Sequence, residues 1–589
     1  MHRFGVWAPR AKKMALKLGE KTLAMEGPSL RGWWFLKTAE ANCGDDYGFL
    51  IDDDPTVYPD PRSLRQPNGV HGPSRLYDPS VFEWHDQLWR GTSRTASVIY
   101  ELHVGTFSQE GTFDGAIQHL DYLVDLGITH VEVMPVAEFA GARGWGYDGV
   151  SLFATHEPYG GPDGFKRFVD ACHAKGLAVI LDVVYNHFGP VGNYTTKFAP
   201  YLADKHKTPW GAAVNLDDRG SDEVRRFFCD NAIMWLKDYH CDGLRLDAIH
   251  AFIDLSAVHF LEQISQEVER LGATLGREFF LIAESDLNDP RIIRPREAMG
   301  YGMDAQWSDD FHHALFRLVH EENPGQGYYD DFGTMGDLKK ALERAFVFDG
   351  KYSVYRRRSH GRPVEGLSAH HFIHFDQNHD QVGNRPWGER LEHLCGMDAA
   401  KLCLGIVLLA PYVPMLFMGE EFAATAPFLY FADHEDEEMR AAVAEGRRME
   451  FSHFGFGGDV PNPEDIETFD RSKLDWNEVH EGKHGEMLEW TKSLIALRRS
   501  TISLNDGSMH EMIVATDEDR KTLVLERCEV RVLANLGKQV YSFDLLEGEE
   551  LKLASRPEIQ TNGGSLELPA LSLAVLISPM EMAENRRMS

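Results

Sequence analysis

LAVILDVVYNH (residues 177–187), CDGLRLDAIH (241–250), FFLIAESD (279–286) and HFIHFDQNHD (371–380) follow one pattern. Each is an apolar run that ends in carboxylates, amides or imidazoles. A nearly continuous apolar run describes a strand covered on both faces, as in a parallel sheet. Working outward, SVIYELHV (97–104) and ITHVEVMPV (128–136) read as earlier strands, and GMDAQW (302–307) and YVPMLFMG (412–419) complete the set. Helical periodicity fills most of the intervals: DGAIQHLDYLVDLG (114–127), GPDGFKRFVDACHAKG (161–176), DEVRRFFCDNAIMWLKDYH (222–240) and SAVHFLEQISQEVERLG (256–272). About eight strands alternating with helices predict an α/β fold, a (β/α)8 TIM barrel. A doubly wound open sheet would more often place a Gly-rich nucleotide loop after its first strand, and none follows YELHV.

The flanks have a different texture. Residues 1–94 carry short segments (FGVWAP, MALKL, YGFLI) broken by Gly, Pro and Asp, which predicts an N-terminal β-sandwich of carbohydrate-binding type. The catalytic barrel with its loop insertions is assigned to residues 95–500, ending in the helix WTKSLIALRRS, and a C-terminal antiparallel β domain to 501–589. The polar end, MEMAENRRMS, is expected to fray.

With 589 residues the chain exceeds one ordinary domain, and 43% hydrophobic with 26% charged residues is a soluble globular composition. Its net charge of −32 repels phosphate backbones and anionic lipid, so neither nucleic acid nor membrane is an expected partner. A neutral substrate is not repelled. The seven cysteines show no CxxC or zinc spacing; Cys172, Cys229 and Cys403 read as buried small hydrophobes. Neither a signal core nor an apolar run of bilayer length is evident, which makes the cytoplasm the expected compartment.

In a barrel of this kind the chemistry lies at the C-terminal ends of the strands. Those ends carry Glu138, Asp182, Asn186, His187, Arg245, Asp247, His250, Glu284, Asp286, Asn378, His379 and Asp380, with Trp145, Tyr147 and Asp148 on a neighbouring loop. Each has a plainer reading. Arg245 and Asp247 could form a structural ion pair, Glu284 could cap a helix, Asp182 could orient its neighbours, and His187 and His379 could be buried imidazoles or zinc ligands. A catalytic zinc needs about three ligands in close geometry, which scattered histidines do not establish. Several desolvated carboxylates at separate strand ends would be costly as a structural device. Carboxylates among aromatic and imidazole groups, with no cofactor motif, suit glycosidic bond cleavage. One carboxylate attacks while another, kept protonated by neighbouring charge, assists the leaving oxygen.

Taken together, DVVYNH (182–187), GLRLDAIH (243–250), AESD (283–286) and QNHDQ (377–381) resemble, in order, the signature segments of the α-amylase family of glycoside hydrolases. The resemblance covers nearly the whole chain. It implies Asp247 as nucleophile, Glu284 as general acid/base and Asp380 as transition-state stabiliser. It further implies that Arg245 holds Asp247 ionised, His187 and His379 bind sugar hydroxyls, Tyr147 stacks on the sugar and Asp182 supports the site. Configuration would be retained, with the two reacting carboxyls about 5–5.5 Å apart.

Further stretches, YNHFGPVGNY (185–194), GMDAQWSDDFHHALF (302–316), NHDQVGNRPWGERL (378–391) and APFLYFADH (426–434), are similar to the family's trehalose-releasing members. That similarity implies malto-oligosyltrehalose and other α-1,4-glucans as substrates, with a malto-oligosyltrehalose synthase acting upstream. Asp148, His250, Asp286, Trp307 and Gln381 join the candidate substrate-binding residues, with Asp309 and Trp210 as further readers of the trehalose end. Ala426 departs from the polar residue expected there. Many amylases bind calcium through the residue corresponding to Asn186; no acidic cage surrounds it in sequence, so neither a metal nor a cofactor is expected. The alternatives are a branching or debranching enzyme acting at α-1,6 bonds and a non-catalytic carbohydrate-binding protein on the same scaffold.

Overall fold

The computed structural model describes residues 1–320, 327–453 and 460–579. The fraying expected for 580–589 falls outside them. Eight parallel strands close into a barrel in sequential order: β1 (Ile99–Leu102), β2 (His130–Val133), β3 (Ala178–Val183), β4 (Gly243–Leu246), β5 (Phe280–Ala283), β6 (Ala305–Trp307), β7 (Phe372–His374) and β8 (Val413–Phe417). All eight lie within the apolar runs identified in the sequence, and β8 returns to β1 through Leu416 opposite Tyr100.

Two buried layers form because strand side chains alternate. Ile99, Ile180, Ile282, Ile373, Val413 and Met415 point into the barrel and pack with Trp307 and Phe375. The alternate residues, among them Tyr100, Leu181, Leu244 and Leu281, face the helices. Helix Gly161–Ala174 illustrates the outer layer. Pro162 opens it, and Phe165, Phe168, Val169 and Cys172 form a buried stripe at helical spacing. Cys172, Cys229 and Cys403 are all buried, as expected.

One helix differs from expectation. Residues 114–127 divide into Phe113–Ile117 and Leu120–Leu126. The break lies beside His119, which stacks on Trp476 at 3.9 Å, a tertiary contact that local periodicity does not encode.

Before the barrel, His2–Trp7 pairs with Trp33–Thr38, and Met14–Leu18 lies within a four-stranded antiparallel sheet. Phe4 and Tyr47 join the two sheets at 5.0 Å. Trp33 Nε1 donates to Glu223 at 3.0 Å, fastening this region to the barrel's outer helices. After helix Gly482–Ser500, residues 512–577 form antiparallel sheets of five and three strands. Among the described residues, three two-stranded antiparallel pairs interrupt the barrel: Ala137–Glu138 with Ser151–Thr155 after β2, Leu202–Thr208 with Gly211–Val214 after β3, and Asp349–Ser353 with Arg358–Gly361 between β6 and β7.

Candidate active site

Strand alternation places the charged groups. Asp182 comes two residues after inward-facing Ile180, and Glu284 two after Ile282, so both continue the interior column toward the C-terminal mouth. The parallel register sets Asp182 directly beside Arg245, and Asp247 follows Arg245 by the same two-residue step. The residues were already dictated by the pattern; the register brings them into one cluster.

Arg245 is its hub and is fully buried. Its Nη1 donates to Asp182 Oδ2 at 2.7 Å and to Asp247 Oδ1 at 2.9 Å. Its Nη2 lies 3.7 Å from Glu284 Oε2. The guanidinium sits 4.2 Å over the Trp307 ring. A planar, permanently charged fork suits this bridging role better than a lysine would. Asn186 completes the grip on Asp247: its Nδ2 donates to Oδ2 at 2.6 Å and to the backbone carbonyl at 2.9 Å. Its Oδ1 meets His187 Nδ1. The amide is therefore an orienting group for the Asp247 carboxyl, a role the sequence did not reveal.

Electrostatics separate the carboxyls. Burial raises Glu284 well above the usual carboxyl range; Arg245 opposes this, while Asp247, Asp309 and Asp380 reinforce it. Glu284 Oε2 accepts the Ala248 N–H at 2.5 Å. Asp182 is pushed up to about 6 by burial against the pull of Arg245, and Asp309 to about 7 by burial and then by Asp380. Asp380 is the most open of the set, with its side chain 43% exposed, and accepts from Asn384 Nδ2 at 3.0 Å.

Imidazoles and aromatics surround this cluster. His379 sits under Tyr147, ring centroids 5.1 Å apart and nearly parallel, and its Nε2 lies 2.8 Å from the Tyr147 hydroxyl. That hydroxyl donates to Asp182 Oδ2 at 2.6 Å. Burial lowers the pKa of His187, against the pull of Asp247, and the ring stacks on half-exposed Trp210 at 5.3 Å. A neutral imidazole can both donate to and accept from a sugar hydroxyl. Asp148 is partly buried close enough to His187 for their charges to interact.

The remaining candidates sit at different depths. Trp307 is 1% exposed, with the Arg245 guanidinium packed on its ring. His250 is exposed on the short turn Ile249–Ala251 and makes no hydrogen bond, ion pair or ring contact among the described residues. Asp286 is on the rim, where Arg356 Nη2 donates to it at 3.2 Å. Gln381, in the first turn after Asn378, accepts from the Tyr329 hydroxyl at 3.2 Å. Among the described residues no group of three or more His, Cys, Asp and Glu has the arrangement to hold a metal ion.

Residues 73–210 match the family described as alpha amylase, catalytic domain. With the barrel and its arginine-bridged carboxyls, this match defines the class as α-amylase-type glycoside hydrolases. A malto-oligosyltrehalose trehalohydrolase from Rhizobium sp. (strain M-11) is 47% identical over 98% of this chain and 97% of its own. One from Arthrobacter ramosus is 48% identical over 91% and 92%. A crystal structure of a protein from Salmonella typhimurium superposes with a TM-score of 0.89, at 38% identity, over 98% of this chain and 97% of its own. The chain belongs to the malto-oligosyltrehalose trehalohydrolase family of this class.

Proposed function

We propose that the protein hydrolyses the α-1,4-glucosidic bond next to the terminal trehalose of malto-oligosyltrehalose, releasing free trehalose and a shortened glucan. The observation that carries the chemistry is the single guanidinium of Arg245 reaching both Asp247, at 2.9 Å, and Glu284, at 3.7 Å. Two carboxyls sharing one bridge suit direct attack with retention rather than the wider gap that an inverting water requires.

Asp247, oriented by Arg245 and Asn186, attacks the anomeric carbon and forms the glycosyl-enzyme. Glu284, kept protonated by burial and its acidic neighbours, donates its proton to the departing trehalose oxygen. As a carboxylate it then accepts a proton from the water that hydrolyses the intermediate. Asp380 places negative charge beside the oxocarbenium-like transition state. His187, Tyr147, Asp148, Asp286, His379 and Gln381 form the sugar-binding surround. No helix of the described residues is long and apolar enough to cross a membrane.

The substrate has no free reducing end where trehalose begins. An enzyme that converts the reducing end of a maltodextrin to an α,α-1,1 linkage must therefore act upstream, and the synthase named above has this chemistry. Residues 1–94 serve as an accessory carbohydrate-binding module in this reading, with the barrel over 95–500 and the β domain over 501–589. Parallel incubations with malto-oligosyltrehalose and amylopectin test it. Free trehalose from the first supports the proposal; change confined to the branch points of the second would contradict it.

A further inference from the structure

Glu101 is on β1, two residues past inward-facing Ile99, and its register partner across the barrel wall is Glu132 on β2. Both are 1% exposed, yet they differ in their partners. Neither carboxyl oxygen of Glu132 has a hydrogen-bond partner among the described residues, and burial, then Glu101, pushes its pKa well above the usual range.

Glu101 spends both oxygens on one residue. Its Oε2 accepts the backbone N–H of His379 at 2.9 Å, and its Oε1 lies 2.5 Å from the ring Nδ1. Main chain and ring of His379 are therefore held by the same carboxylate, across the closure of the barrel.

Hydrogen counting then fixes the ring's state. The Tyr147 hydroxyl has one hydrogen and gives it to Asp182 Oδ2, which Arg245 Nη1 also contacts at 2.7 Å. At 2.8 Å from that hydroxyl, Nε2 must be the donor. Nδ1 must donate as well, because Glu101 only accepts. Both ring nitrogens are donors, and the ring is an imidazolium.

The surrounding charges agree. Burial and the cation Arg245 disfavour a charge there, and neighbouring His103, lowered to about 3 chiefly by burial, is neutral; Glu101 and then Asp380 carry the His379 pKa up to about 9. The Nε2 edge also lies 3.6 Å from Asp380 Oδ2.

We propose that Glu101 is a positioning residue that fixes His379 as an imidazolium, its Nε2 edge aimed at Tyr147 and at the Asp380 carboxylate. The inference rests on the reading of Asp380 as transition-state stabiliser, because the cation then sets where that carboxylate stands. Glu101 touches no substrate and acts through His379.

The test compares the full-length wild-type protein with Glu101→Gln and Glu101→Asp. Thermal midpoints measured against pH need no activity, so they stand apart from the question of which sugar is released. A histidine whose pKa is raised in the fold stabilises fully below its unfolded value of 6.5. That contribution is lost as pH rises through about 9. The gap in midpoint between wild type and Glu101→Gln should therefore be largest below about pH 6.5 and narrow toward about pH 9. With any glucan that the wild type hydrolyses, the alkaline limb of kcat should move acidward by at least about one pH unit in Glu101→Gln. In Glu101→Asp it should stay within about half a unit while kcat falls.

If Glu101→Gln does not fold, His379→Gln supplies the same contrast. It should lose the pH-dependent stability between about 6.5 and 9 that Glu101→Asp retains. Stability gaps independent of pH, together with a uniformly scaled kcat profile, would make Glu101 a structural residue and overturn the proposal.

Discussion

The two ends of the barrel use the same residue types to opposite effect. At the N-terminal base, Asp242 Oδ1 accepts from Trp89 Nε1 at 2.7 Å and from Arg277 Nη2 at 2.9 Å. Its Oδ2 accepts from the Val179 N–H and lies 2.9 Å from His173 Nε2. His173 Nδ1 in turn lies 2.7 Å from Asp86, which also meets His240. Every oxygen of Asp242 is engaged. Burial penalises Asp242, but the His173 hydrogen bond and the charges of His173 and Arg277 outweigh it and lower its pKa. At the C-terminal mouth, one arginine serves three carboxyls, and burial drives Asp182 and Glu284 upward. A closed network stabilises charge and serves the fold. An under-supplied one leaves protons on some carboxyls, and acid catalysis needs such a proton.

Substitutions at each end should break this contrast cleanly. Glu284→Gln should have the largest effect, lowering kcat on malto-oligosyltrehalose by about 10²–10⁴-fold with the thermal midpoint nearly unchanged. Steady-state kinetics beside a melting curve would check it, and unaltered turnover would remove Glu284 from the chemistry. Asp242→Asn should do the reverse. Leaving His173 and Arg277 without their buried partner should cost about 3–5 kcal/mol of stability, read by denaturant unfolding, with kcat retained below the transition.

Asp242 also predicts a pH dependence. Its lowered pKa makes its stabilisation present above the unfolded carboxyl value and lost as pH falls through the folded one. The raised pKa of His173 makes its own share present below 6.5 and lost as pH rises through its folded value. The midpoint gap between wild type and Asp242→Asn should thus be widest between about pH 4 and 6.5 and shrink on both sides. A flat gap would mean that packing, not charge, holds the base. The smallest effect should come from His250→Ala, whose stability should change by less than about 0.5 kcal/mol and whose kcat/KM should stay within about two-fold. A larger loss would return this exposed histidine to the substrate surface.

The barrel was legible because a strand buried on both faces leaves an unbroken apolar run, and eight such runs stand out. The carboxyls of the proposed triad stood out for the same reason, since a carboxylate ending such a run has few places to point. What the sequence concealed depends on register and closure. Glu101 sits openly in YELHV, but His379, its partner, is 278 residues away and meets it only when the barrel closes. Asn186 has the right sequence position for a calcium ligand and instead holds Asp247. Trp307 terminates its strand as a sugar-stacking tryptophan would. Yet alternation points it inward beneath Arg245.

The most direct test of the three-carboxylate mechanism is a ¹H NMR time course of the wild-type protein acting on malto-oligosyltrehalose. Free trehalose should appear together with a shortened glucan whose new reducing end is first α-configured and mutarotates afterwards. Maltose in place of trehalose, or a reducing end that is first β-configured, would contradict the assignment of Asp247 as the attacking carboxylate on the trehalose-bearing bond.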